Sequence, residues 1–514
     1  MNLKYNNNEE EELYKMIKEK INNMEEKQRG GNLLELNKQI QLQKSKIYSI
    51  KEPDELLKFI NDNLKPKIIE KKERGEVFTP MTLVEEMLDT LPNEVWKNPN
   101  LKWLDPAAGM GNFPVAVYMR LMEGLKDVIK DEEKRRKHIL ENMLYMVELD
   151  KTNVFMMKKI FCGKLSKSSK SSKKGYELNI FEGSFIDGKY EKIYKTNINF
   201  DIIMGNPPYN KNKTPIWNIF LNDSFKKLNK NGYLLFVTPS GWRDISGEFH
   251  SVKYNIYQRN LLLLKIHNEK DGLKTFNCET RFDIILVENK NVEETTTEIY
   301  YQNIEKPEVI NIKKLSFIPN GNINFIKKLL ANKKEEKVNL LYDSCSYHTQ
   351  KDWIKDNEDK VYKHKCIYTI NSNNMPTFKY SRIKYIKDIK LMENKCLVKN
   401  IEHFGNYKLI WSNGRIKSVG CYIDAKGEYG LTQFAYAILE DDINILNKLK
   451  YVFLSEKFKN VMEDCAVTEQ SINYKIIALF KKDFYKYFLH KSGNKSISLP
   501  LNKSNKLKKR NKSI

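Results

Sequence analysis

Between residues 101 and 287 the chain alternates short apolar runs with stretches of helical periodicity, and this rhythm restricts the fold more than any other feature. Apolar runs fall at 101–106, 144–149, 178–185, 200–204 and 233–238, each bounded by turn residues. Helical spacing fits between them, for example over 112–124 and 216–228. Residues 261–266 and 282–287 read as two last strands with no room for a helix between them. Strands alternating with helices predict an α/β domain with a doubly wound, mostly parallel sheet of seven strands. The closing pair predicts an antiparallel edge.

The 514 residues exceed what one such domain needs. Residues 1–72 are highly charged, with apolar positions such as Leu13, Met16, Ile17 and Ile21 at helical spacing, so a helical N-terminal region is expected there. The α/β domain is expected over 73–330, with the low-complexity stretch 166–174 as a surface insertion. From about residue 330 the alternation stops and aromatic and basic residues mix, which reads as a separate domain over 331–490. Residues 491–514 hold many basic and no acidic side chains and read as a disordered tail.

The formal charge of +23 calls for a polyanionic partner or for a compositional bias, since the chain is also rich in Asn and Ile. The seven cysteines form no Cys-x-x-Cys pair, which speaks against a zinc site or a disulfide framework and fits a reducing compartment. No apolar run approaches the length of a membrane span, and the N-terminus has no secretory pattern, so an intracellular protein with access to nucleic acid is expected.

Two segments carry chemistry. The first, Leu104-Asp-Pro-Ala-Ala-Gly-Met-Gly-Asn-Phe113, follows a strand and opens a helix. Gly109 and Gly111 let the backbone approach a ligand where open α/β sheets bind them, and the helix start offers N–H donors. An acid at the end of the next strand, Glu148, can accept hydrogen bonds from both ribose hydroxyls of a nucleoside. The second segment, Asp201-Ile-Ile-Met-Gly-Asn-Pro-Pro-Tyr209, follows the fourth strand. The lone pair of an exocyclic aromatic amine is delocalised into its ring, which makes it a poor nucleophile. Two acceptors on its N–H groups favour tetrahedral nitrogen, and the Asn206 side chain and the Pro207 carbonyl are suited to that task. Pro207 and Pro208 stiffen the loop, and Tyr209 offers a face on which a flipped base can stack.

With these segments the chain resembles the N6-adenine DNA methyltransferases of restriction-modification systems, in the gamma motif order. The resemblance covers roughly residues 73–290. It implies the class I, Rossmann-like fold of enzymes that use S-adenosyl-L-methionine, and a C-terminal domain that recognises a short sequence in double-stranded DNA. Gly75-Glu-Val-Phe-Thr-Pro80 looks like the family's N-terminal motif, which implies that Thr79 and Pro80 meet the methionine end of the cofactor. Asp105, Ala107, Gly109 and Gly111 fall in the Asp-Pro-x-x-Gly-x-Gly-x-Phe pattern, Glu148 on the ribose-binding acid, and Asn206 to Tyr209 on the catalytic Asn-Pro-Pro-Tyr. Phe185 falls on the residue that covers the cofactor's adenine. Phe276 falls where an aromatic packs on the flipped base, with Phe282 as a competing candidate. The position before Phe185 departs: the family commonly has an acid there to bind the adenine amine, and this chain has Ser184, with Asp187 nearby. No metal is implied, and a separate cognate endonuclease is the further partner such systems imply. Other readings of the same motif are an N-methyltransferase acting on RNA or on protein glutamine, and a nucleic-acid-binding relative without activity.

Overall fold

The computed structural model describes residues 79–161, 176–187, 198–245, 247–301, 306–392, 401–468 and 470–489. The helical region expected over 1–72, residues 75–78 of the N-terminal motif, the insertion at 166–174 and the basic tail lie outside these. The chain divides into two compact units, Met1–Asn320 and Gly321–Ile514. Among the described residues no helix is long and apolar enough to cross a membrane.

In the first unit, α1 (Met81–Leu88) is followed by β1 (Trp103–Asp105), α2 (Asn112–Gly124), α3 (Glu132–His138), β2 (Leu144–Glu148), α4 (Lys151–Phe161), β3 (Asn179–Glu182) and β4 (Phe200–Gly205). A two-stranded hairpin, β5 (Asn210–Lys211) and β6 (Thr214–Pro215), leads into α5 (Trp217–Lys227). Then come β7 (Leu228–Pro239), α6 (His250–Tyr257), β8 (Asn260–His267), α7 (Glu269–Phe276), β9 (Phe282–Glu288), β10 (Thr297–Tyr300) and β11 (Glu308–Ile310). Nine strands form one sheet in the order β11-β10-β8-β9-β7-β4-β1-β2-β3. β1 to β4 and β7 pair in parallel, while β9 runs antiparallel to both β7 and β8. From β3 to β8 this is the doubly wound class I order with its reversed strand, as the sequence rhythm led us to expect, and two short strands extend the far edge.

The strands that form the centre are buried on both faces: every residue of β1 and β2 is buried. Their apolar runs therefore lack the period-two alternation of half-exposed strands. Packed against them, α1, α2 and α4 contribute Val84, Met87, Val117, Leu121, Met157 and Ile160 to one cluster.

One local expectation is overturned. The link between β8 and β9 holds a helix, α7. Asn268 accepts from the backbone N–H groups of Lys270 and Asp271, Asp271 accepts from the Asn268 N–H, and Asn277 ends the helix at φ 53°. A reciprocal cap at one end and a left-handed residue at the other define two turns despite a glycine and few apolar positions.

In the second unit, α8 (Ile323–Leu329) precedes two four-stranded sheets. The first contains β12 (Leu340–Leu341), β16 (Lys408–Ser412), β17 (Cys421–Asp424) and β19 (Ala435–Leu439). The second contains β13 (Ile354–Lys355), β14 (His364–Ile370), β15 (Pro376–Ser381) and β18 (Gly430–Leu431). Helices α9 (Ile386–Met392), α10 (Ile443–Leu454) and α11 (Glu456–Cys465) accompany them. β16, whose Lys-Leu-Ile-Trp reads as a basic, aromatic surface segment, is buried throughout. Lys408 is held inside by Asp424 at 2.7 Å and by the carbonyls of His403 and Asn406, at 2.8 and 3.0 Å. A lysine with three oxygen partners satisfies its three N–H donors without water.

Candidate active site

The C-terminal ends of β1 to β4 open into a cleft. Thr79, Asp105, Ala107, Gly109, Glu148, Ser184, Phe185, Asn206 and Pro208 line it. Four separate strand ends thus bring together residues that span more than a hundred positions.

The floor is a network of carboxylates and backbone. Glu148 Oε2 accepts from the Gly109 N–H at 2.8 Å, and Oε1 accepts from the Asp150 N–H at 2.8 Å and from Asn153 Nδ2 at 3.3 Å. The carboxylate is fixed in orientation by these bonds. Gly109 adopts φ 55°, and nothing lies within 4 Å of where a Cβ would project, so its backbone faces open space. Asp105 is buried, with Oδ1 accepting from the Ala107 N–H at 3.1 Å. Burial pushes its carboxyl up to about 8; the Ala107 hydrogen bond opposes this, and the nearby charge of Glu148 adds to it. At Gly205, φ is 154° and a Cβ would stand 2.9 Å from Asp105 Oδ1, so only glycine lets β4 end against that carboxylate.

Phe185 is buried at one side, stacked on Phe220 with centroids 5.9 Å apart. Phe220, Ile216 and Ile186 complete an apolar wall. Ser184 lines the cleft, whereas Asp187 is exposed and does not. Ile216 and Phe220 were not singled out in the sequence; their signal is an apolar pair one helical turn apart just after Asn-Pro-Pro-Tyr.

On the other side Asn206 donates from Nδ2 to Thr79 Oγ1 at 3.1 Å. Its Oδ1 is buried and has no hydrogen-bond partner among the described residues. Pro208 lines the cleft; Pro207 and Tyr209 do not. Tyr209 packs against the core cluster, and its buried hydroxyl has no partner among the described residues. Burial and the charge of Asp283 push that hydroxyl well above the usual tyrosine range. Asp283 itself is engaged by Ser240 Oγ at 3.0 Å and Arg243 Nε at 2.7 Å.

Three further expected residues lie off the cleft wall. Pro80 caps α1, its carbonyl accepting from Leu83 and Val84. Gly111 caps α2 at φ 97°. Phe276 ends α7 buried, edge-on to Phe282 with centroids 4.9 Å apart, and Phe282 stacks on His267 at 4.3 Å. The two candidate aromatics therefore belong to one packed group.

Residues 128–276 match the family model of the Eco57I restriction-modification methylase. The chain is similar to restriction-modification adenine methylases. A Mycoplasma pneumoniae protein described as an uncharacterized adenine-specific methylase is 30% identical, with 30% of this chain and 51% of that protein covered. The type II restriction enzyme and methyltransferase RM.Eco57I of Escherichia coli is 23% identical, with 61% of this chain and 38% of that protein covered. The chain thus spans about half the length of the first relative and less of the second. Among solved structures, a nuclease-deletion mutant of the type ISP restriction-modification enzyme LlaGI, in complex with a DNA substrate mimic, is 13% identical. It aligns over 90% of this chain and 59% of that one with a TM-score of 0.46. The methylase match contains Glu148, Ser184, Phe185, Asn206 to Tyr209 and Phe276, while Thr79 and Asp105 to Gly111 precede it. The family read from the motifs is therefore the one the relatives point to.

Proposed function

We propose that this chain transfers a methyl group from S-adenosyl-L-methionine to the N6 amine of adenine in double-stranded DNA. The observation that carries the reading is the unpartnered Asn206 Oδ1, an acceptor held at the wall of the cleft with its other end tied to Thr79. A buried acceptor without a partner costs on the order of 1–3 kcal/mol, so its partner is sought in a substrate.

The cleft fits the cofactor. A nucleoside's ribose finds Glu148, its base finds the Phe185–Phe220 wall beside Ser184, and the open backbone at Gly109 admits the chain between them. When bound, the cofactor supplies an electrophilic methyl on a cationic sulfur. The residues of the chain do the rest by position. Asn206 Oδ1 and the Pro207 carbonyl would accept hydrogen bonds from the two amine N–H groups, which localises the nitrogen lone pair toward the methyl group; the methylated nitrogen then sheds one of those protons to solvent. Prolines at 207 and 208 remove backbone freedom at the loop and keep both acceptors aimed. Tyr209 gives the displaced base a π-face, and the packed Phe276–Phe282 pair stands ready as the apolar side of its pocket.

The second unit is proposed to select the DNA site. Arg382, Lys384, Tyr385 and Lys387 are exposed, and the lysines at 384 and 387 both lie over the Tyr385 ring, at 5.4 and 5.5 Å. Exposed cations beside an aromatic suit phosphate and base contacts. A separate endonuclease would complete a restriction-modification pair.

The test is tritiated methyl transfer to methylation-free genomic DNA, with calorimetric cofactor binding alongside. Asn206→Ala should abolish transfer while cofactor binding survives. Near-normal transfer by that variant would refute the assignment, and label appearing in RNA or protein instead of DNA would redirect it.

A further inference from the structure

We propose that Thr79 is a positioning residue for methyl transfer: its hydroxyl, by receiving the Asn206 amide hydrogen, fixes which end of that amide faces the target base. The inference rests on the role of Asn206 proposed above.

The two ends of an asparagine amide are nearly the same size, and half a turn about the last torsion exchanges acceptor for donor. A reversed Asn206 would set an NH2 group against the amine of the base, two donors face to face, and the lone pair of the amine would stay delocalised. What holds the productive orientation is the partner at the other end. Nδ2 lies 3.1 Å from Thr79 Oγ1, and both residues are buried. Thr79 is itself fixed from a second direction: its carbonyl accepts from Asn112 Nδ2 at 2.6 Å, and Asn112 is the buried first residue of α2. Thr79 is therefore held through its carbonyl by the helix that follows the Gly109–Gly111 turn, and its hydroxyl meets the loop that follows β4, parts of the chain remote in sequence.

A hydroxyl can also donate, and a donating Thr79 would tolerate the reversed amide. Thr79 lines the cleft along with Asn206. An anionic acceptor in the cleft, such as the carboxylate of an amino-acid cofactor, would draw the hydroxyl proton away from Asn206. Only lone pairs would then face the amide, and Nδ2 must turn to them. Thr79 thereby couples occupancy of the cleft to the polarity of the amide that meets the base.

The test compares Thr79→Val, which keeps the shape and removes the hydroxyl, with Thr79→Ser, which restores it. Cofactor affinity is measured by calorimetry, and the single-turnover transfer rate is measured at saturating cofactor. The valine variant is expected to transfer about 10- to 100-fold more slowly even at saturation, the scale of a misaimed catalytic group, and the serine variant to recover most of that loss. Thr79→Ala serves the same comparison if the valine variant does not fold. A second arm uses Asn206→Asp, whose carboxylate has no wrong end. In that background Thr79→Val should cost little; if Asn206→Asp proves inactive, the valine–serine comparison decides alone. A valine variant that regains the full rate once cofactor is saturating would overturn the proposal, because Thr79 would then act only in cofactor binding. Should Asn206→Ala itself keep transferring methyl groups, it is the assignment of Asn206 that fails; a dead Asn206→Ala with an unimpaired Thr79→Val removes only the positioning role.

Discussion

Asp105 gives the site a measurable pH signature. Its carboxyl rises from 3.8 to about 8 in the folded chain, chiefly because burial removes it from water. Between those values the unfolded chain releases the proton and the folded chain keeps it. The unfolded state then binds fewer protons, so folding stability falls as pH rises, at about 1.4 kcal/mol per pH unit for a single group. From pH 5 to pH 8 this comes to about 4 kcal/mol. Asp105→Asn does not titrate, and its side-chain oxygen can still accept the Ala107 N–H that Asp105 Oδ1 accepts at 3.1 Å. Any fixed cost of the amide is the same at every pH, so the slope of the difference decides. The assay is urea unfolding of the cofactor-free variant and parent at pH 5, 6, 7 and 8, following the transition that added cofactor moves to higher urea. The variant should gain on the parent with each step, by roughly 4 kcal/mol in all. A difference that stays flat across that range would mean that Asp105 ionises normally, and the argument from burial would be refuted.

Other perturbations follow from the same contacts. Tyr209→Phe should leave turnover nearly intact and raise stability slightly, since the buried hydroxyl has no partner among the described residues; Tyr209→Ala should slow turnover by roughly 5- to 150-fold, the equivalent of 1–3 kcal/mol of lost stacking, in a steady-state transfer assay. Ser184→Asp places a charged acceptor in the cleft, where Asp187 does not reach, and calorimetry should show cofactor affinity rising about 5- to 10-fold. Lys213, at φ 67° in the β5–β6 turn behind Asn212 at φ 49°, sits where a two-residue hairpin favours glycine. Lys213→Gly should raise the urea midpoint by the equivalent of about 1 kcal/mol.

What the sequence revealed was local. The strand ends at Asp105, Glu148 and Gly205 show in the apolar runs, and the residues around them carry the pattern from which the proposed cofactor turn and amine-binding loop are read, because that pattern depends on immediate neighbours. What it concealed depends on distant partners. Lys408-Leu-Ile-Trp411 has the composition of a DNA-facing segment, yet Asp424 and two carbonyls take the lysine inside, and pairing with β17 and β19 covers the rest. Substitutions there would damage the fold of the second unit before they altered a target site. α7 was hidden for a different reason: its limits are set by a cap and a left-handed residue, and a hydrophobic period needs more than two turns to be read. Phe220 likewise acquires its place only when α5 packs beside Phe185.

The two sides of the cleft differ in what is left unsatisfied. On the side proposed for the cofactor, Glu148 is tied to Gly109, Asp150 and Asn153, and Asp105 is held to Ala107. These groups are in place before any ligand arrives, so binding costs little reorganisation. On the side proposed for the base, Asn206 Oδ1 and the Tyr209 hydroxyl are buried without partners among the described residues. Such atoms are destabilising in the free protein, by on the order of 1–3 kcal/mol each, and packing elsewhere must offset them. A base that leaves a duplex gives up pairing and stacking worth a few kcal/mol. A site whose acceptor has no competing side-chain bond to break recovers more of that cost than one that must first release a side chain. An acceptor left without a protein partner among the described residues and the ease of accepting a displaced base thus have one physical origin.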